Sequence, residues 1–210
     1  MLRKIIPLTV LLIVAIISTY LVSQDKLAEN PLSSISNDML NLEDQWAQGN
    51  VVSLIRHTER CDRSDNPCLD GTDGITTLGK AEAIKIGKAY EKLPKQDIVI
   101  YNSPQKRAQQ SANFMFPGKS IDAIQLGNDC KENLLDDIVK HKGEAKNMIL
   151  VTHSTCIELL GAHKGDKLVK MDIKGDETYG SSFFLTINKD KNKARFLGYL
   201  SADDWGKVYE

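Results

Sequence analysis

Between residues 51 and 200 the apolar residues follow two rhythms. Mainly apolar runs occur at VVSLIR (51–56), DIVIYNS (97–103) and NMILVTH (147–153), with a shorter strand pattern at IDAIQL (121–126). Each is short and rich in β-branched side chains, the pattern of a strand buried on both faces. Between them the period lengthens. TTLGKAEAIKIGKAYEKL (76–93) places Ala83, Ile86, Ala89, Tyr90 and Leu93 at helical spacing. PQKRAQQSANFMF (104–116) predicts a helix with Pro104 in its first turn, and KENLLDDIVKHK (131–142) predicts another. SSFFLTINKDKNKARFLGYL (181–200) predicts a hairpin turning at NKDKNK. Strands alternating with amphipathic helices imply an α/β fold: a three-layer sandwich with a mostly parallel central sheet flanked by helices. The domain expected on this pattern covers residues 51–210. Residues 24–50 are polar, with a short helix expected in NDMLNLEDQWAQ, and read as a tether that docks onto the domain.

The first 23 residues are a separate matter. MLRK carries two positive charges, and the nineteen residues from Ile5 to Ser23 carry none. That is an export signal, longer than the usual signal-peptide core of about 7–15 residues and close to the ~20 that span a bilayer. It is expected to act as an uncleaved signal-anchor in the inner membrane or as a cleaved signal peptide. Arg3 and Lys4 stay on the cytoplasmic side in either case. Setting those two aside leaves 25 basic residues against 28 acidic, a net charge near −3, which argues against a nucleic-acid partner. Apolar residues at 41% and charged residues at 26% fit a folded globular domain. All four cysteines, Cys61, Cys68, Cys130 and Cys156, fall in the exported part, where an even count favours disulfides. The simplest pairing is Cys61–Cys68 and Cys130–Cys156, with three connectivities open. The cysteines and histidines suit a zinc site less well, because no Cys-x-x-Cys pair exists and exported thiolates oxidise. Neither a metal nor a cofactor is expected.

In parallel sheets ligands bind beyond the carboxyl ends of the strands. Three such ends carry reactive side chains here: Arg56-His57 after the first strand, Asn102-Ser103 leading to Arg107 after the second, and His153-Ser154 after MILVT. Two guanidinium forks suit phosphate oxygens. A neutral imidazole can attack phosphorus and form a phosphohistidine, while the arginines offset charge on the equatorial oxygens. A helix beginning just after His153 would add backbone N–H groups.

The motifs around these residues resemble those of a known family. LIRHTER is similar to the Arg-His-Gly-Glu signature of the histidine phosphatase superfamily. GITTLGKAEAIKIGKAY, YNSPQKRAQQSA and ILVTHSTC resemble three further segments of its phosphoglycerate-mutase-like branch, in the same order. The resemblance covers about residues 51–190 and implies a phosphoglycerate-mutase-like fold. By position it implies His57 as the phosphorylated nucleophile, with Arg56, Arg107 and His153 binding the phosphoryl group. Thr58, Ser154 and Thr155 stand where the motifs have glycine. The general acid is expected in the loop after the third strand, where Asp129 is preferred over Glu132. Arg60, Arg63 and Ser154 are the expected substrate-binding residues, with Arg60 and Arg63 also open to reading as loop surface charges.

RHTERCDRSDNPCLDGTDGIT, NDC and THSTC, including all four cysteines, resemble one exported group, the lipopolysaccharide core heptose(II)-phosphate phosphatases. The resemblance implies a periplasmic phosphomonoesterase whose partner is a phosphorylated sugar or glycolipid of the envelope. The other reading kept open is a non-catalytic phosphoglycan-binding protein on the same fold. His141 and His163 read as solvated, and Trp46 and Trp205 as packing anchors.

Overall fold

The computed structural model describes residues 39–123, 130, 134–164, 167–169, 173, 175–188 and 193–205, and every element below belongs to the unit Ser34–Glu210. The expected strand IDAIQL is described only at its start, and Asp129, Glu132 and the segment Ile5 to Ser23 lie outside the described residues. Among the described residues, no helix is long and apolar enough to cross a membrane.

Among the described residues eight strands form one sheet: β1 (Val51–Arg56), β2 (Ile98–Asn102), β3 (Ser120–Asp122), β4 (Asn147–Thr152), β5 (Ala162–Lys164), β6 (Lys167–Val169), β7 (Ser182–Asn188) and β8 (Lys193–Leu200). Their order is β3-β2-β4-β1-β7-β8-β5-β6. β1, β2, β3 and β4 pair in parallel, as do β5 and β8, while β7 runs against both of its neighbours and β6 against β5. The sheet is therefore mostly parallel by direction. The short pair β5 and β6 carries no periodic signal in the sequence, being only three residues a strand.

Among the described residues five α-helices flank the sheet: α1 (Met39–Ala47), α2 (Thr77–Tyr90), α3 (Lys106–Met115), α4 (Leu134–His141) and α5 (Ser154–Leu160). One face collects Val51 and Ile55 of β1, Ile149 and Val151 of β4 and Phe184 of β7 with Leu42 and Trp46 of α1, Ile86 of α2 and Met115 of α3. Strand alternation sends Val52, Leu54, Met148 and Leu150, all fully buried, to the other face, where α5 packs on β1 and α4 packs on α5. This is the three-layer sandwich, and it explains why β1 and β4 read as mainly apolar runs. α1 belongs to the core: Trp46 is fully buried, its indole N–H donating to the Pro94 carbonyl at 3.1 Å. Trp205 is likewise buried, 4.5 Å from Tyr90 between ring centres.

One detail differs from expectation. α3 starts at Lys106 with Gln105 as its cap, so Pro104 precedes the helix instead of opening it and turns the chain out of β2. α2 is held to α3 by a close backbone approach at Gly87. A β-carbon there would lie 2.1 Å from the Met115 carbonyl oxygen, on backbone that cannot swing away. Gly87→Ala is therefore expected to destabilise the fold by about 1–3 kcal/mol, the usual range for overpacking. Urea denaturation checks this, and an unchanged midpoint would refute the close packing of α2 on α3.

Candidate active site

The carboxyl ends of β1 and β4 lie side by side, with Arg56 opposite Thr152 in the register. The next residues, His57 and His153, leave the sheet together. His57 N–H donates to the Thr152 carbonyl at 2.9 Å, and the two imidazole centres are 5.3 Å apart, edge to face. Both rings are buried, His57 3% and His153 7% exposed.

His57 Nδ1 lies 2.8 Å from the Thr58 carbonyl oxygen. A carbonyl only accepts, so Nδ1 carries the proton and Nε2 keeps its lone pair. That lone pair accepts from Arg107 Nε–H at 3.2 Å. Burial, opposed by the hydrogen bond to Thr58 and aided by the charges of Arg107 and Arg56, holds the His57 pKa well below its ordinary value. Burial and the charges of Arg107, Arg60 and Arg56 push His153 down to about 3. Both imidazoles are neutral near pH 7, the form in which Nε2 is nucleophilic.

Arg107 is the second residue of α3. Its backbone carbonyl accepts from Ser111 Oγ at 2.7 Å, and Ser111 Oγ in turn takes the Thr58 N–H at 3.0 Å, tying the helix to the residue after His57. Arg56 is buried at the end of β1. Its Nη1 donates to the carbonyls of Ile173 (3.1 Å) and Gly175 (2.6 Å) and to Thr178 Oγ1. Arg56 Nε and His153 Nδ1 are buried with no hydrogen-bond partner among the described residues. Such atoms cost free energy when left unpaired. His153 Nε2 pairs with Ser103 Oγ at 2.9 Å.

The loop from Glu59 to Thr76 covers one side. Its ends are stitched by Thr76 N–H to the Glu59 carbonyl and Cys61 N–H to the Gly74 carbonyl, both 3.0 Å. Cys61 and Cys68 form a disulfide across it. The Glu59 carboxylate takes hydrogen bonds from Ser64 Oγ, Asn66 Nδ2 and Thr76 Oγ1. Thr76 Oγ1 also caps α2 by accepting from Gly79 N–H at 3.0 Å. Gly79 is needed there: a β-carbon would stand 2.9 Å from the Glu59 carbonyl oxygen. Lys106 pins the outer loop through Asp70 and Asp73, at 3.3 and 3.2 Å. The second disulfide joins Cys130 to Cys156, three residues beyond His153.

No protein-family model matches the sequence, but curated relatives do. The lipopolysaccharide core heptose(II)-phosphate phosphatase of Escherichia coli O9:H4 (strain HS) is 35% identical over 150 residues, 69% of this chain and 72% of that protein. The chain belongs to this family. The phosphatase of the same name from Salmonella typhi is 37% identical over 116 residues, 54% of this chain; the match spans little more than half of that relative's length, 57%. Among solved structures, SixA of Agrobacterium tumefaciens superposes with a TM-score of 0.52 at 20% identity, covering 73% of this chain and 97% of that one. SixA of Nakamurella multipartitia gives 0.53 at 14%, covering 72% and 95%. Both likenesses concern the fold, the phosphoglycerate-mutase-like sandwich.

Arg56, His57, Arg107 and His153, singled out in the sequence, meet at one point. Arg60 and Arg63 stand at the rim in different states. Arg60 is gripped at both Nε and Nη2 by the Asp62 carboxylate, whose pKa is lowered by that pairing. Arg63 is exposed, and its charge reaches Arg56 and Arg107. Ser154 is the half-buried first residue of α5. His141 is half-buried, its Nδ1 donating to the Asp137 carbonyl at 2.7 Å, and the His163 side chain is outside the described residues. Sequence reasoning missed Tyr179, whose ring is 5.6 Å from His57 and stacks 4.0 Å beneath Arg56. The usable signal was topological: β7 runs antiparallel to β1, so the residues entering β7 reach the same sheet edge as those leaving β1.

The depressed histidines make stability depend on pH. An unfolded histidine takes its proton near 6.5, whereas folded His153 refuses it down to about 3. Between those values the unfolded chain binds more protons, so stability falls as pH falls. His153→Asn removes this contribution and is expected to lose about 2 kcal/mol less than the parent between pH 7 and pH 5. Urea titrations at both pH values test it; parallel losses would contradict the buried neutral imidazole.

Proposed function

We propose that this chain is an exported phosphomonoesterase that passes a phosphoryl group through His57. The observation that carries the reading is the His57 tautomer: Nδ1–H donates to Thr58 and leaves the Nε2 lone pair beside Arg107 Nε, with His153 against its edge. In the first step that lone pair forms a bond to phosphorus. The ester P–O bond breaks, its electron pair goes to the leaving oxygen, and an acid supplies that oxygen's proton. Asp129, next to Cys130 in the chain, is the acid we assign, with Glu132 as the alternative. Arg107 turns its N–H from Nε2 to a phosphoryl oxygen, and Arg56 Nε and His153 offer the further donors that the developing charge calls for. In the second step water attacks phosphorus, the P–N bond breaks, and its pair returns to Nε2. One water proton stays on the phosphate and the other returns to the acid.

The substrate we assign is a phosphorylated sugar of the cell envelope, a lipopolysaccharide core heptose phosphate, in keeping with the names of the relatives. Two disulfides fit a protein working outside the cytoplasm, and we place it in the periplasm, held at the inner membrane if residues 1–23 stay attached. Arg63, free of an acidic partner among the described residues, suits a substrate with more negative charge than one phosphate.

The test is phosphate release from purified lipopolysaccharide. The parent protein is expected to release phosphate in the presence of chelator, to be inhibited by vanadate, and to lose on the order of 10³-fold or more of its rate with His57→Ala. Turnover retained by that variant would sink the mechanism. Tight binding of the glycolipid with no phosphate released over hours would instead identify a phosphoglycan-binding protein.

A further inference from the structure

Arg56 is unusually committed for an arginine at a phosphate site. Its Nη1 is spent on the Ile173 and Gly175 carbonyls and on Thr178 Oγ1. Thr178 Oγ1 itself donates into the same segment, at 2.9 Å from the Ile173 carbonyl oxygen. The effect is to fix the 3₁₀ turn Asp176–Thr178 and so to place the next residue, Tyr179. From the far side, Gly180 N–H reaches the His57 carbonyl and Arg56 N–H the Ser181 carbonyl, at 3.4 and 3.0 Å. Tyr179 is thus held from both directions against the proposed nucleophile.

Its ring lies 5.6 Å from the His57 ring and 4.0 Å beneath the Arg56 guanidinium. The residue is 6% exposed, yet its hydroxyl has no hydrogen-bond partner among the described residues. A tyrosine kept only for packing and for its cation–π contact would serve as well as phenylalanine, which avoids stranding a buried hydroxyl. The charges acting on the Tyr179 hydroxyl include those of Arg56, Asp176, Arg60 and Arg63. Burial raises its pKa, which keeps the proton on the oxygen and makes it a donor.

We propose that Tyr179 is a further phosphoryl-binding residue, its hydroxyl donating a hydrogen bond to a non-bridging oxygen of the group that His57 receives. The proposal rests on the phosphatase reading above and extends it to a residue on the antiparallel side of the sheet. Tyr179 keeps its proton throughout; it takes no part in the proton transfers of either step. Like Arg56 Nε and His153 Nδ1, its oxygen has no hydrogen-bond partner among the described residues.

Tyr179→Phe isolates the hydroxyl, since ring, stacking and volume are kept. The measurement is vanadate affinity, read by quenching or calorimetry, beside kcat/KM for p-nitrophenyl phosphate and the melting temperature. A hydrogen bond to a charged group corresponds to about 10- to 100-fold. Vanadate binding and kcat/KM are expected to weaken by about that factor, with a melting temperature equal to or above the parent's. If the parent binds vanadate and turns over and the variant matches it in both, the role of Tyr179 is refuted while the phosphatase reading stands. If the parent neither binds vanadate nor releases phosphate, the phosphatase reading and this proposal fall together.

Discussion

The site depends first on the parallel register of β1 against β4. Both strands are buried along their whole length, and pairing Arg56 with Thr152 puts His57 and His153 at the same height. A slip of one residue would turn every side chain to the opposite face. The register is fixed at the far end by a buried amide. Asn147 opens β4, accepts from Val51 N–H at 2.9 Å and donates to the Trp46 carbonyl at 2.8 Å. One side chain therefore aligns the start of both strands and the end of α1, six residues before either histidine.

The second consequence is electrostatic. Carrying two imidazoles and two guanidiniums to one buried edge leaves them no carboxylate partner among the described ion pairs. The imidazoles respond by staying neutral, and the arginines turn to backbone carbonyls, a tyrosine face and a histidine lone pair. Such an arrangement holds unpaired buried donors that a stability-optimised core would avoid. The two disulfides act on the same region, one closing the arginine-bearing loop and the other tying Cys130 beside the helix that starts after His153.

Much of this was legible because parallel strands announce their ends. VVSLIR, DIVIYNS and NMILVT each stop at a polar, reactive residue, and a parallel sheet must bring those stops together. Arg107 followed from its place one residue inside the helix after β2. Other features were hidden for physical reasons. Tyr179 lies before an antiparallel strand, where the start, not the end, reaches the site, and nothing local marks it as functional. The Asp62 grip on Arg60 depends on side-chain geometry within a turn, so the sequence showed two equivalent arginines where the structure distinguishes a neutralised one from a free one. Pro104 looked like the first residue of a helix and proved to lie two residues before it, because the chain needs that turn between β2 and α3. β5 and β6 were too short to leave a period.

The central claim is covalent: a phosphoryl group resides on His57 between the two steps. Rapid mixing with a phosphomonoester, quenching in base to spare the acid-labile phosphohistidine, and mass spectrometry of the peptides would decide it. The account predicts one added phosphoryl group on the peptide holding His57, appearing within the first turnover and disappearing as substrate is exhausted. A peptide that stays unmodified throughout steady turnover, or a phosphoryl group carried by His153 instead, would contradict it.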